Sequence, residues 1–230
     1  MEFLQNGKLL KELNHTVVTL IPKTKCPKNV SEFRPTSCCN TLYKCITKVI
    51  YGWLRQILPD LILENQGGFV QGRYKVNNIM IVQDIVKHYG RKSLKPSCLM
   101  KIDLQKAYDI VDWIFLKEML ECQRFPRKFV EIIMRCVTIP TYIFIDAQWD
   151  NAWLFFNSKR GLRQGDPMSL PLFVICMEYL SRILQQVSGL PQFHFHPRYK
   201  DIKLNHICFA DDLILCYKGD YASIYLMLQV

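Results

Sequence analysis

The stretch His206-Ile-Cys-Phe-Ala-Asp-Asp-Leu-Ile-Leu-Cys-Tyr217 decides how this chain is read. Two apolar runs meet at a pair of adjacent acids, the pattern of two short strands joined at Asp211-Asp212. Alone, the pair reads as well as a solvated hairpin turn. Such turns favour Asn-Gly or Asp-Gly, which supply positive φ without strain, and this one has neither. Two carboxylates about 4 Å apart, at an effective dielectric of about 20, repel by roughly 4 kcal/mol. A divalent cation between them removes that penalty, and Mg²⁺ takes carboxylates together with substrate phosphates.

A second acid stands in a comparable place. In Met100-Lys-Ile-Asp-Leu-Gln-Lys-Ala-Tyr-Asp109, Asp103 closes a short apolar run that begins at Cys98. If that strand neighbours the first pair, Asp103 and Asp211 face one pair of cations, as phosphoryl-transfer sites with two metals require. The commoner use of such an Asp is a helix cap or Asx turn. A third element is Lys159-Arg-Gly-Leu-Arg-Gln-Gly-Asp-Pro-Met-Ser-Leu-Pro-Leu-Phe173. Gly161 and Gly165 let the backbone pass close to a substrate, Arg160 and Arg163 add positive charge, and Asp166 or Ser169 suits a helix cap. By itself it reads equally as a basic loop with a good cap. No GxGxxG or P-loop pattern occurs, which argues against an ordinary dinucleotide-binding or NTPase module.

Around these motifs the 230 residues are half hydrophobic and 22% charged, ordinary globular usage that excludes a disordered or collagen-like chain. No run approaches the ~18 apolar residues that a membrane span needs. Thirty basic against twenty acidic residues give a net charge of +10, which favours a polyanionic partner such as nucleic acid. Ten cysteines, many inside apolar runs, and no secretory signal point to a reducing compartment, nucleus or cytoplasm. His194, His196, His206 and Cys208 lack the spacing of a zinc finger or knuckle, and Cys26, Cys38, Cys39 and Cys45 lack C-x-x-C.

The periodicities predict a strand at His15–Ile21 and a helix from Leu42 that ends before Pro59, burying Leu42, Ile46, Val49, Ile50, Trp53, Leu54 and Ile57. A second helix buries Ile79, Val82, Ile85 and Val86, and residues 90–97 read as a linker. Helices at 112–121 and 127–137 follow, the latter with Phe129, Ile132, Ile133 and Cys136 inward. Strands at 141–145 and 153–156 and a long helix from Pro167 to Val187 complete an α+β chain, in which hairpins mix with helices.

Taken in order, LMKIDLQKAYD, GLRQGDPMSLPLF and CFADDLILC resemble the active-site blocks of a reverse transcriptase of the non-LTR, LINE-type retrotransposon family, with a plant-like character. LNHTVVTLIPK, SEFRPTSCCNTLYKCITKVI and NQGGFVQGRYKVNNIM resemble that family's finger blocks, so the resemblance spans nearly the whole chain. It implies a right-hand polymerase, residues 1–95 fingers-like and 96–230 palm-like, with an antiparallel palm sheet packed on helices. It also implies an RNA-directed DNA polymerase with two Mg²⁺ ions (Mn²⁺ as a possible substitute), an RNA template, a DNA primer and deoxynucleoside triphosphates, and no membrane.

By position, Asp103, Asp211 and Asp212 match the family's catalytic, metal-holding carboxylates, Asp212 less directly a ligand than the others. Tyr108 matches the aromatic that excludes a 2′-hydroxyl. Gln164 and Gly165 match the loop lining the nucleotide, Lys23 and Arg34 positions near the triphosphate, and Arg73 a position near the template. The family usually has Ser-Pro where this chain has Ser169-Leu170-Pro171. Leu170, preceding Pro, is expected to leave helical angles, to shift the start of the helix and to displace Gln164. With 18 residues after Asp212, the thumb is expected to be missing and the chain weakly active or inactive alone. The alternative is a non-catalytic retroelement relic that at most binds RNA or RNA–DNA duplex.

Overall fold

The computed structural model describes residues 11–87, 96–145 and 153–230, together with Phe3. Strands are β1 (His15–Pro22), β2 (Phe33–Cys39), β3 (Ser97–Asp103), β4 (Thr141–Ile145), β5 (Trp153–Asn157), β6 (His206–Phe209) and β7 (Asp212–Lys218). Helices are α1 (Thr41–Leu61), α2 (Lys75–Lys87), α3 (Trp113–Cys122), α4 (Arg127–Thr138), α5 (Ser169–Ser188) and α6 (Tyr221–Leu228). The chain is α+β, as its mixture of hairpin and helix signals predicts.

Two compact units interleave along the chain. One comprises residues 1–54 and 108–173, the other 55–107 and 174–230. Each unit takes two separate stretches of the chain. The reason is strand pairing: β3 must reach past the whole 108–173 stretch to find β7. Residues 90–95 of the expected linker, including Arg91, Lys92 and Lys95, lie outside the described residues.

In the first unit the strands run in the order β2-β1-β4-β5. β1 is antiparallel to β2, with Val17 opposite Cys38, and parallel to β4, with Val17 opposite Ile143. α4 buries Val130, Ile133, Cys136 and Val137. Asp112 caps α3 by accepting from the amides of Ile114 and Phe115.

The stripe that α1 buries is Tyr43, Thr47, Ile50, Leu54 and Leu58, while the expected Leu42, Val49, Trp53 and Ile57 are exposed. The helix is apolar over a wider arc than it buries, so periodicity finds the helix but not the angle of its inner face. α1 also continues through Pro59 to Leu61. Carbonyls at this end find side-chain donors: Pro59 and Ile62 accept from Arg73, and Leu61 accepts from Arg182. Leu170 is helical, contrary to the expectation that it leaves helical angles. Pro171 is the third residue of α5, where a missing N–H leaves no intrahelical bond unmade.

In the second unit the order is β3-β7-β6, antiparallel throughout. Leu213, Leu215 and Tyr217 alternate along β7 into a core with Leu184, Phe193, Cys208 and Met227. The period of two sends Asp212 and Ile214 to the opposite face. Of the residues expected inward on α2, Ile85 is buried, but Ile79 and Val86 are exposed.

Candidate functional site

Residue pairing between β3 and β7 sets Asp103 opposite Asp212. Asp211 lies in the two-residue turn that joins β6 to β7. The three acids therefore share one corner of one sheet. Because side chains alternate, Asp103 and Asp212 leave the sheet on the face away from the apolar core, and both are exposed. Lys101 stands on the same face, its Nζ 3.1 Å from Asp212 Oδ1. A cavity of about 250 Å³ opens on that face between the sheet and α2, lined by Asn78, Val82, Lys101, Phe209, Asp212 and Ile214 among others.

The turn itself is unusual. Ala210 has φ +55°, a left-handed conformation that a hairpin ordinarily assigns to Gly, Asn or Asp. Among the described residues, no three acid, His or Cys side chains converge closely enough to hold an ion by themselves. The donor set nevertheless suits magnesium: hard carboxylate oxygens, exposed, with room for water and phosphate oxygens to complete the shell.

In the first unit the loop before α5 is pinned at both glycines. Gly161 has φ +93°, and a Cβ there would come within 2.8 Å of the Asp109 carbonyl oxygen. Gly165 has φ +100°, and its Cβ would sit 3.1 Å from the Ser37 carbonyl oxygen. Ser37 N–H donates to the Gln164 carbonyl at 3.0 Å, and Leu162 N–H to the Tyr108 carbonyl at 2.7 Å. The loop is thus stitched to β2 and to the turn that carries Tyr108. The Gln164 Nε2 lies 3.4 Å from Asp109 Oδ1, and the Tyr108 ring stacks on Phe173 with centroids 4.5 Å apart.

Arg163 differs from what its place in a basic loop implies. It is 4% exposed, and its guanidinium donates to Thr16 Oγ1, the Cys136 carbonyl and the Tyr43 hydroxyl while lying over the Tyr43 ring. Tyr43 in turn donates to Asp166 Oδ2 at 2.9 Å. Burial alone would lower the Arg163 pKa, but Tyr43 and Asp166 outweigh it and hold the cation charged. Burial, then Asp166, raises the Tyr43 pKa well above its ordinary value and keeps the phenol protonated. Asp166 Oδ1 accepts from Met168 N–H just ahead of α5, an Asx turn that leads the chain into the helix.

Lys23 and Arg34 are exposed on the β1–β2 hairpin, Arg34 opposite Ile21, and Lys23 Nζ donates to the Ser31 carbonyl. Beside Gln164 lies a cavity of about 210 Å³ whose lining includes Ser37, Asp109, Tyr142, Phe156, Arg160 and Gln164. Arg160, expected to add positive charge, is exposed here. The stacking of Tyr142 on Phe156 escapes sequence reading, because the two rings lie on separate strands and form no local motif.

Arg73, which the resemblance sets near the template, is also bound to the backbone of its own unit. Its guanidinium donates to the carbonyls of Leu63 at 2.5 Å, Ile62 at 2.6 Å, Gln66 at 2.9 Å and Pro59 at 3.3 Å. Both terminal nitrogens are spent on closing the end of α1 and the loop behind it, so a template contact does not follow from its geometry.

Comparison with known proteins shows the family. The family profile for reverse transcriptase (RNA-dependent DNA polymerase) matches residues 21–229. The chain belongs to the reverse transcriptase family, and its relatives make it LINE-type, of the non-LTR retroelements. It is 27% identical over 93% of its length to the uncharacterized 149 kDa protein of transposon TX1 from Xenopus laevis. It is 26% identical over 91% of its length to the Pol polyprotein of the type-2 retrotransposable element R2DM from Drosophila melanogaster. The chain spans 16% and 19% of those two relatives. In fold it is similar to telomerase from Candida tropicalis, with a TM-score of 0.63, 13% identity, and coverage of 95% of this chain and 46% of that one.

Proposed function

We propose that this chain catalyses RNA-templated addition of deoxynucleotides to a DNA primer. One observation carries the reading above all others: Asp103 and Asp212 stand opposite each other on paired strands, with Asp211 in the adjoining turn. Asp103 and Asp211 are the principal ligand carboxylates and Asp212 the outer one. Two Mg²⁺ ions, with Mn²⁺ as a substitute, supply charge neutralisation at the attacking and leaving oxygens when bound.

The remaining roles belong to the protein's own groups. The primer 3′-hydroxyl loses its proton to water and attacks the α-phosphate in line, the bond from the α-phosphorus to the bridging oxygen breaks and pyrophosphate leaves. The protein contributes positioning and electrostatics rather than covalent chemistry. Tyr108, held against Phe173, presents a rigid wall to the sugar and excludes a 2′-hydroxyl. Gln164 and Gly165, fixed to β2 through Ser37, line the nucleotide. Lys23 and Arg34 offer cations to the triphosphate. The cavity beside Gln164 joins an aromatic wall to the cation of Arg160, a combination that suits a base and its phosphate. The net charge of +10 favours the RNA and DNA partners.

The test is single-nucleotide extension of a DNA primer annealed to an RNA template, with Mg²⁺ or Mn²⁺ supplied. We expect addition of a matched deoxynucleotide, weak in processivity, and its loss in Asp103→Ala and Asp211→Ala. Extension that survives both substitutions would overturn the assignment. Salt-sensitive binding of RNA with no extension under either metal would instead establish the non-catalytic relic.

A further inference from the structure

We infer that Gln66 is the positioning residue for the carboxylate corner: its side-chain oxygen holds the strained turn that carries Asp211. The inference rests on the polymerase reading of that corner and adds a residue to it. Gln66 is 1% exposed, and its Oε1 accepts from the amide of Ala210 at 3.0 Å and from that of Gly68 at 2.9 Å. A left-handed alanine between two strands is disfavoured by contact of its Cβ with the following carbonyl. Something outside the hairpin must therefore stabilise it, and Gln66 bonds the very residue that is strained.

The backbone around Gln66 makes that bond rigid. Gln66 forms an isolated parallel bridge with Cys208, in which Gly67 N–H donates to the Cys208 carbonyl and Cys208 N–H to the Asn65 carbonyl, both at 2.8 Å. Asn65 Nδ2 donates to the His206 carbonyl at 2.7 Å, and Asn78 Nδ2 to the Cys208 carbonyl at 3.2 Å. Residues 65–68 thus lie along β6 like an added edge strand. Gly68 is where they come nearest to the turn: a Cβ there would sit 2.5 Å from the Ala210 nitrogen. Gln66-Gly67-Gly68 suits such a clamp: an acceptor, then a glycine whose Cβ would meet Asn78, then a glycine with no side chain to keep the turn away.

Only the oxygen of Gln66 is used; among the described residues Nε2 has no hydrogen-bond partner. This predicts which substitutes serve. Gln66→Glu keeps an acceptor at the same reach, whereas Gln66→Met keeps the length and loses the acceptor. Both variants are compared with the unmodified full chain by primer extension and by hydrogen exchange of the 207–214 segment, at a temperature where circular dichroism shows all three folded. We expect Gln66→Met to lower kcat by about tenfold or more with little change in the nucleotide KM, and to speed exchange at the Ala210 amide by about tenfold. Gln66→Glu should retain most of both properties. Exchange at Ala210 unchanged in Gln66→Met, or a Gln66→Glu variant as impaired as Gln66→Met, would overturn the inference. Absence of extension by the unmodified chain would refute the polymerase reading alone, because the exchange measurement still decides whether Gln66 holds the turn.

Discussion

The turn at Ala210-Asp211 and the loop at Arg160–Asp166 are both short, both hold residues at positive φ, and both are dense in charge. They use the charge in opposite ways. At the turn, an uncharged amide holds the backbone and the carboxylates of Asp103 and Asp212 stay exposed. In the loop, the cation of Arg163 is itself the buried fastener, while Arg160 remains exposed. A charged residue in a motif is thus either presented to a ligand or consumed by the fold, and only the surrounding acceptors reveal which.

The comparison breaks most easily at Arg163. Removing one partner of a buried ionic network leaves the others desolvated and unpaired, at about 3–5 kcal/mol. Arg163→Met would strand the Cys136 carbonyl and the Tyr43–Asp166 pair, so a loss of that size is expected in urea unfolding. Arg160→Met, on the exposed side of the same loop, should change stability by no more than about 0.5 kcal/mol. Equal effects of the two would mean that Arg163 is not consumed by the fold.

A second buried group in the acid-bearing unit responds to pH. His206 is 1% exposed, and its Nδ1 lies 2.7 Å from Asn205 Oδ1, while Asn205 Nδ2 donates to the Leu184 carbonyl. Nδ1 therefore carries a proton, and burial lowers the imidazole pKa to about 4 from an ordinary 6.5, which leaves the ring neutral at pH 7. A lowered folded pKa for a base means that protonation favours the unfolded chain. Its contribution is complete above the unfolded value of 6.5 and is lost as pH falls toward about 4. At about 1.36 kcal/mol per pH unit that window is worth on the order of 3 kcal/mol. Unfolding free energies measured from pH 7 to 4 should fall steeply, and His206→Gln should flatten the slope.

Arg73 sharpens the same contrast with a smaller effect. Its hydrogen bonds to four carbonyls make it a fastener like Arg163, yet it is only partly buried and water can replace some of them. Arg73→Ala is expected to cost about 2 kcal/mol in urea unfolding. Arg73→Lys should recover less than half of that, since a point ammonium cannot span a fork of carbonyls. Full recovery by lysine would point to a role for its charge alone.

Much of this was legible from residues alone. Alternation in β7 and the apolar run ending at Asp103 locate both strands of the corner, because a one-sided sheet writes its period into sequence. What remained hidden depends on partners far apart in the chain. Arg73 and Arg163 look like ligand cations until the carbonyls of residues 59–66 and Cys136 close around them. Gln66 carries no charge and no periodicity, so its bond to Ala210 across 144 positions leaves no local mark. The inner face of α1 escapes periodicity for a related reason: apolar residues cover more of the helix than its neighbours do. Leu170 kept helical angles despite the following Pro because the pre-proline preference for extended angles is a bias that a helix can override.

The smallest effect belongs to Lys101, and it separates presented charge from consumed charge most directly. Its ion pair with Asp212 joins side chains that are 65% and 52% exposed, so water and salt already screen it. Stability should change by less than about 1 kcal/mol in Lys101→Met. Cation binding should respond in the other direction. The ammonium competes with a divalent ion for the same carboxylate, and unit charges about 4 Å apart in water interact by roughly 1 kcal/mol, a few-fold in affinity. Mn²⁺ titration followed by electron paramagnetic resonance is therefore expected to show tighter binding in Lys101→Met than in the unmodified chain. A variant that instead unfolds easily and binds Mn²⁺ no better would place Lys101 among the fasteners, with Arg163 and Arg73, and would leave Asp212 serving the fold rather than a metal.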